Sequence, residues 1–243
     1  MAFNMERWHS AAQARFSVRR YREGPGAEEL EALKAAAARM CGRGVRVAFA
    51  SGDVFKPLFL WYGKITGAAC FAAFIAGPGA TPHSIGYLGE AFILEATALG
   101  LGTCWVGGTY HRGRALEAVE LAEGERIAAI TPLGVSAESY VGRPRKTLTE
   151  LTGLSQEALQ ALPEWQQSAL TCARIAPSAV NKQPWRFVPS GEGIELIQTG
   201  GNFGYGGIDL GIAMLHIELG AAHCSVSGAW EEKEGSAFFA PAP

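Results

Sequence analysis

Two short segments of this chain hold the residue types best suited to gripping a flat, polar ligand. The first is Ala176-Pro177-Ser178-Ala179-Val180-Asn181-Lys182-Gln183-Pro184-Trp185-Arg186-Phe187. Pro177 fixes φ and Ser178 can bond its own backbone, so Ala-Pro-Ser sets a tight bend. Asn181 and Gln183 each offer a donor and an acceptor in one flat group, which suits the imide-like edge of a planar heterocycle. Pro184 and Trp185 anchor the strand that follows. Taken alone, the segment reads equally well as an ordinary helix-to-strand loop.

The second segment is Arg15-Phe16-Ser17-Val18-Arg19-Arg20-Tyr21. Arginines at alternate positions of an extended turn point the same way, here with the Ser17 hydroxyl between them. Such a comb grips a phosphate or the polar edge of a ring through charge-assisted hydrogen bonds. On its own, a basic turn is more often solvated surface.

Together, Arg-x-Ser-x-Arg and Ala-Pro-Ser-x-x-Asn-x-Gln-Pro-Trp resemble the nitroreductase family of FMN flavoproteins. Gly100-Leu101-Gly102-Thr103-Cys104-Trp105-Val106-Gly107-Gly108 is similar to the family's helix-end segment beside the flavin. Pro132-Leu133-Gly134, followed by Arg143-Pro144-Arg145-Lys146, is similar to its strand-end motif and basic tail. The resemblance runs from about residue 7 to about residue 230. Family members commonly place the Ala-Pro-Ser motif soon after the arginine turn, and the flavin sits where two subunits of a homodimer meet. Here that motif lies about 160 residues downstream. The chain therefore resembles a branch in which two copies of the fold are fused into one pseudo-dimeric polypeptide.

The resemblance implies about one FMN per chain, reduced by NAD(P)H and reoxidised in a ping-pong cycle by a small acceptor such as a nitroaromatic or quinone. It assigns Arg15, Phe16, Ser17 and Arg19 to the phosphate and polar ring edge, with Arg143 and Arg145 closing on the phosphate. Pro177, Ser178 and Asn181 are implied to pack on the ring from the other half, with Gln183 supporting their loop. The backbone of Val106, Gly107 and Gly108 is implied to run beside the reactive ring nitrogen, where an N–H can bond N5. Family members often carry an acidic residue where this chain has Gly107. No catalytic side chain is implied, because acceptor protons can come from solvent. The alternative is a protein that holds flavin, or another planar ligand, without turnover; fold alone does not separate the two.

Duplication is also visible without the family. At a constant offset of about 120 residues, Gly86 pairs with Gly206, Leu99 with Leu219, Gly100 with Gly220, Cys104 with Cys224, Val106 with Val226 and Gly108 with Gly228. We expect a first repeat over residues 1–150 and a second, shorter one over 151–243, interlocked. Only the first has the arginine comb and only the second the Ala-Pro-Ser loop, so one full set of parts exists. A fused pair of this kind is expected to act as a monomer.

Composition fits this reading. A net charge of −2 and no basic cluster interleaved with aromatics give no reason to expect nucleic acid. The first residues lack the basic-then-apolar layout of a signal peptide, and no apolar run is long enough to span a membrane. Five scattered cysteines, none in a C-x-x-C pair, point to reduced thiols and a cytoplasmic protein. None of the five histidines (His9, His83, His111, His216, His223) stands at metal-ligand spacing, so no metal is expected; His216 reads as a core or interface histidine. No Gly-x-Gly-x-x-Gly follows a strand, which disfavours a Rossmann dehydrogenase.

The elements that must position these residues are legible in outline. Helices are expected over 4–14, Glu28–Met40, Tyr87–Leu99, Arg114–Leu121, Pro163–Ile175 and Ile208–Leu219. Strands are expected at Val45–Ala50, Ala68–Ala76, Arg126–Pro132, Trp185–Pro189, Ile194–Gln198 and Ala237–Ala240. Residues 77–84 read as a Gly/Pro loop and 138–163 as a connector. Phe55, Phe59, Trp61 and Tyr62 form either a lid over the flavin or ordinary packing. Strands loosely alternating with helices imply an α+β sandwich, a nitroreductase-like fold of two duplicated halves with sheets covered by helices.

Overall fold

The computed structural model describes residues 4–55, 64–140 and 142–242. The elements in chain order are α1 (Met5–Ala14), β1 (Tyr21–Glu23), α2 (Ala27–Met40), β2 (Val45–Ser51), β3 (Cys70–Ala76), α3 (Pro82–Ala98), α4 (Arg112–Ala118), β4 (Arg126–Leu133) and β5 (Val135–Ser136). There follow α5 (Leu148–Thr152), α6 (Gln156–Gln160), α7 (Glu164–Arg174), β6 (Trp185–Ser190), β7 (Gly193–Gln198), α8 (Gly206–His223), β8 (Gly228–Lys233) and β9 (Ser236–Pro241). They pack as two compact units, one of residues 14–142, the other of residues 1–13 with 143–243.

In the 14–142 unit, β2, β3 and β4 form an antiparallel sheet with β3 in the middle. Central placement explains the sequence of β3: CFAAFIA is apolar at every position, and residues 71–76 are all buried. The long helix α3 is apolar on all sides for the same reason, with twelve of its residues buried. It begins at Pro82, five residues before the expected start at Tyr87. Thr81 accepts the Ser84 N–H and Ser84 Oγ accepts the Thr81 N–H, a reciprocal cap, and Pro82 needs no donor in the first turn. Past the C-terminus, Gly100 takes φ +81° while Leu101 N–H bonds Ala96 O and Gly100 N–H bonds Thr97 O. This left-handed glycine stop ends the helix.

In the other unit the sheet order is β6-β7-β9-β8, again antiparallel. On β6, Trp185 and Phe187 are buried while Arg186 and Val188 are exposed, the alternation of a strand with one face on a core. α7 and α8 pack closely along their length. The contact depends on Gly220, where a Cβ would stand 2.5 Å from the Cα of Ala169 and from the Ser168 carbonyl oxygen. The expected connector folds into α5 and α6, each started by a hydroxyl cap, Thr147 on Glu150 N–H and Ser155 on Ala158 N–H. β8 was not expected, and β9 is an interior strand between β7 and β8.

With α4 set aside in one unit and β8 in the other, both follow helix, strand, strand, long apolar helix, then a strand that adds to the second strand of the pair: α2-β2-β3-α3-β4 and α7-β6-β7-α8-β9. In each, the first helix packs on the long one. Of the aromatic group following β2, Phe55 is buried edge-on to Phe71 with ring centroids 6.2 Å apart. Phe59, Trp61 and Tyr62 lie outside the described residues. No described helix is long and apolar enough to cross a membrane. The architecture is α+β.

Candidate functional site

The arginine comb is strung out as extended chain inside the 14–142 unit. Ser17 bridges to Thr103 and Arg20 to Thr66, through Val18 N–H to Thr103 O and Thr66 N–H to Arg19 O, both at 2.9 Å. Val18 and Tyr21 are buried in the core of this unit, while Ser17 and Arg19 between and beside them stay half-buried. Phe16 stands edge-on to Tyr140, with centroids 5.6 Å apart.

The two arginines of the comb are held differently. Arg19 folds back, its Nη1 donating to the Ser17 carbonyl at 3.2 Å. Its backbone N–H donates to Glu138 Oε2 at 2.8 Å, and Arg20 Nε donates to Glu138 Oε1 at 3.1 Å. Partial burial opposes the Glu138 charge, but these bonds outweigh it and hold the carboxyl below its ordinary range. Arg15 is 8% exposed, with its Nε 3.9 Å from Oε1 of the fully buried Glu90 on α3. Trp105 Nε1 donates to Glu90 Oε2 at 2.7 Å. Among the described residues, Arg15 Nη1 is buried with no hydrogen-bond partner. A buried N–H donor left without an acceptor is costly even where the guanidinium charge faces Glu90, so an anionic acceptor such as a phosphate fits this position.

The segment after α3 is narrowed by its own hydrogen bonds. Val106 and Ile130 exchange N–H···O bonds at 2.9 Å each way, which commits the Val106 amide to β4. Among the described residues the Gly107 and Gly108 amides have no such partner, and both glycines reach the surface.

In the other unit, residues 176–183 form a tightly wired loop. Val180, Asn181 and Gln183 have φ of +47°, +58° and +49°, a region that costs a side-chain-bearing residue about 1–2 kcal/mol each. Side-chain bonds hold the loop there. The Ser178 hydroxyl accepts the Gln183 N–H at 2.8 Å. Asn181 Oδ1 accepts from Arg145 Nη1 at 2.5 Å, and its Nδ2 donates to the Pro144 carbonyl at 2.9 Å. Gln183, 4% exposed, accepts the Lys146 N–H at 2.8 Å, and its carbonyl takes Lys146 Nζ at 3.1 Å. Both carboxamides thus clamp the loop to the strap at 144–146. Arg143 is exposed at the start of that strap, and Pro177 is buried.

Beneath the loop lies Asp209, 2% exposed in the first turn of α8. It accepts the Ala179 N–H at 2.9 Å and Asn202 Nδ2 at 2.5 Å. Burial outweighs these bonds and pushes its carboxyl up to about 6. Neither Glu90 nor Asp209 was singled out from the sequence. Each is a carboxylate flanked by apolar residues in a mostly apolar helix, and that pattern was the available signal, because such a group needs a buried partner. His216 is fully buried with Nδ1 3.2 Å from the Cys172 carbonyl. His9 and His223, distant in sequence, stack with ring centroids 4.2 Å apart.

The sequence profile of the family described as "Putative TM nitroreductase" matches residues 9–221. The chain belongs to this nitroreductase family. A solved nitroreductase from Thermotoga maritima superposes with a TM-score of 0.67 at 20% identity, covering 100% of this chain and 97% of that one. A nitroreductase with bound FMN from Bacteroides fragilis aligns at 19% identity and a TM-score of 0.45, covering 58% of this chain and 94% of its own. No curated protein matches the chain.

Proposed function

We propose that this protein is an FMN-dependent oxidoreductase that carries reducing equivalents from NAD(P)H to a small acceptor, such as a nitroaromatic or a quinone, in two successive half-reactions. Family membership supports the class. The observation that carries the cofactor is the buried, unpartnered Nη1 of Arg15 in a comb where Arg19 is folded back onto the Ser17 carbonyl.

In this reading Arg15, Phe16, Ser17 and Arg19 take the phosphate and polar ring edge of one FMN, joined by Arg143 and Arg145. Pro177, Ser178 and Asn181 pack on the ring, and Gln183 holds their loop rigid. Because the Val106 amide is committed to Ile130, the N–H offered to the ring nitrogen is that of Gly107 or Gly108. Bound FMN supplies the hydride chemistry. The chain supplies charge for the phosphate, fixed amide dipoles at the ring edge and a preorganised loop that needs no ordering on binding.

The repeated element order supports reading the chain as two fused copies of one fold, divided near residue 150, which acts as a monomer with a single complete set of flavin residues. No disulfide joins any of the five cysteines, which fits a reducing cytoplasm. The test is the visible spectrum of the purified chain, with released cofactor identified and counted, before and after anaerobic NAD(P)H. About one FMN per chain that bleaches on addition is the expected result. A chain that holds FMN but never bleaches is a binder, and one that refuses FMN refutes the cofactor assignment.

A further inference from the structure

We propose that Glu6, His9 and His223 form a binding site for one divalent first-row transition ion of the zinc and copper class. Nothing in the proposed oxidoreductase chemistry uses these residues. Glu6 and His9 are three apart on α1 and so share one face of the helix. His223 is the last residue of α8, where the helix dipole favours positive charge.

One donor atom from each residue lies within 4.8 Å of the other two. Glu6 Oε2 and His223 Nδ1 are 3.0 Å apart, and the two imidazoles lie face to face at 4.2 Å and 13°. In a tetrahedral site with bonds of about 2.0–2.1 Å, donor atoms stand about 3.4 Å apart. Parallel rings do not converge their in-plane nitrogen lone pairs, so to bind an ion the exposed His223 ring must turn out of the stack, with shifts of about 1 Å that the exposed Glu6 side chain can share. Two imidazoles and one carboxylate are a borderline N/O set, selective for zinc, copper, nickel or cobalt over magnesium or calcium. Three protein ligands leave a position for water. His9 and His223 also line a cavity of about 330 Å³ with Gln13, Thr171, Cys172 and Cys224, which gives that water a place to sit.

The test uses the full, untagged chain, stripped by chelator and titrated with Co²⁺ and then Zn²⁺. We expect one Co²⁺ per chain with the visible bands of a low-symmetry N/O site, displaced by Zn²⁺. Zinc at about a hundredfold excess over its Kd should raise Tm by about 5 °C. His9→Ala and His223→Ala should each weaken Co²⁺ binding by about a hundredfold or more, and Glu6→Gln by about tenfold. Circular dichroism confirms that these variants fold, and the wild-type titration stands without them. No saturable cobalt spectrum, or one that survives His223→Ala unchanged, overturns the site. A thiolate-to-cobalt band abolished by Cys224→Ser overturns this ligand set. Flavin content plays no part in these readouts, so the site stands or falls separately from the FMN reading.

Discussion

Removing the Glu90 carboxylate tests the central claim about the arginine comb, that Arg15 is held by a buried charge partner. Glu90 is fully buried and the Arg15 side chain is 4% exposed, so the pair belongs to the regime of buried ion pairs. Breaking such a pair from one side costs about 3–5 kcal/mol, whereas a surface pair is worth about 0–1 kcal/mol. Glu90→Ala also strands the Trp105 Nε1–H, whose bond to a charged acceptor adds to the loss. We expect Glu90→Ala to cost about 4 kcal/mol in urea unfolding, and Arg15→Met a similar amount, because it leaves the carboxylate buried alone. The double variant Glu90→Ala/Arg15→Met should cost less than the sum by about 2 kcal/mol or more, since neither orphaned charge remains. Strict additivity, or a Glu90→Ala cost below about 1 kcal/mol, would refute the pairing and with it the account of how Arg15 is aimed.

Three further outcomes follow from the same geometry. Arg15→Met should weaken FMN binding by about 10–100-fold through loss of a charge-assisted bond, read by quenching of flavin fluorescence; unchanged affinity would remove Arg15 from the site. The folded Asp209 carboxyl, raised from 3.8 to about 6 by burial, favours the protonated form, so its contribution is full below pH 3.8 and lost as pH rises through about 6. The stability of Asp209→Asn relative to wild type should therefore rise by about 3 kcal/mol between pH 3.5 and 7.5, and a flat difference would contradict the raised value. Gly220→Ala should destabilise by about 1–3 kcal/mol despite the better helix propensity of alanine, because its Cβ meets the α7 backbone; a stabilised variant would show that α7 and α8 have slack there.

The parts of the site that were legible in the sequence are those whose chemistry is local. Arg15 to Arg19 and Ala176 to Gln183 are contiguous runs, and turn residues next to donors and acceptors announce themselves at short range. The long helices were visible from their mostly apolar character, although Thr81 and Pro82 start α3 earlier than its apolar run suggests. Long-range pairing was not legible. Asn181 read as a carboxamide facing the ligand and Gln183 as a support of its own loop, and only the fold shows Pro144, Arg145 and Lys146 as their partners. Glu90 and Asp209 were hidden inside helices read by their majority character. β8 escaped because GAWEEK carries three charges and a single large apolar residue, Trp230. The offset of about 120 residues is an imperfect guide, pairing the left-handed Gly100 beyond α3 with Gly220 inside α8. Element order matches between the two units better than residue identity does.

The first helix belongs to the unit completed by residues 143–243, not to the one that follows it in the chain. On the ribosome this has a temporal meaning. About 130 residues separate Gln13 from Arg143, so at 5–20 residues per second roughly 6–26 s pass between them. During that interval residues 14–142 emerge as a unit whose sheet is already complete, while the apolar side of α1, with Trp8, Ala11 and Ala12, has no permanent surface to cover it. Synthesis therefore orders assembly: the middle of the chain closes first, and its beginning waits for its end.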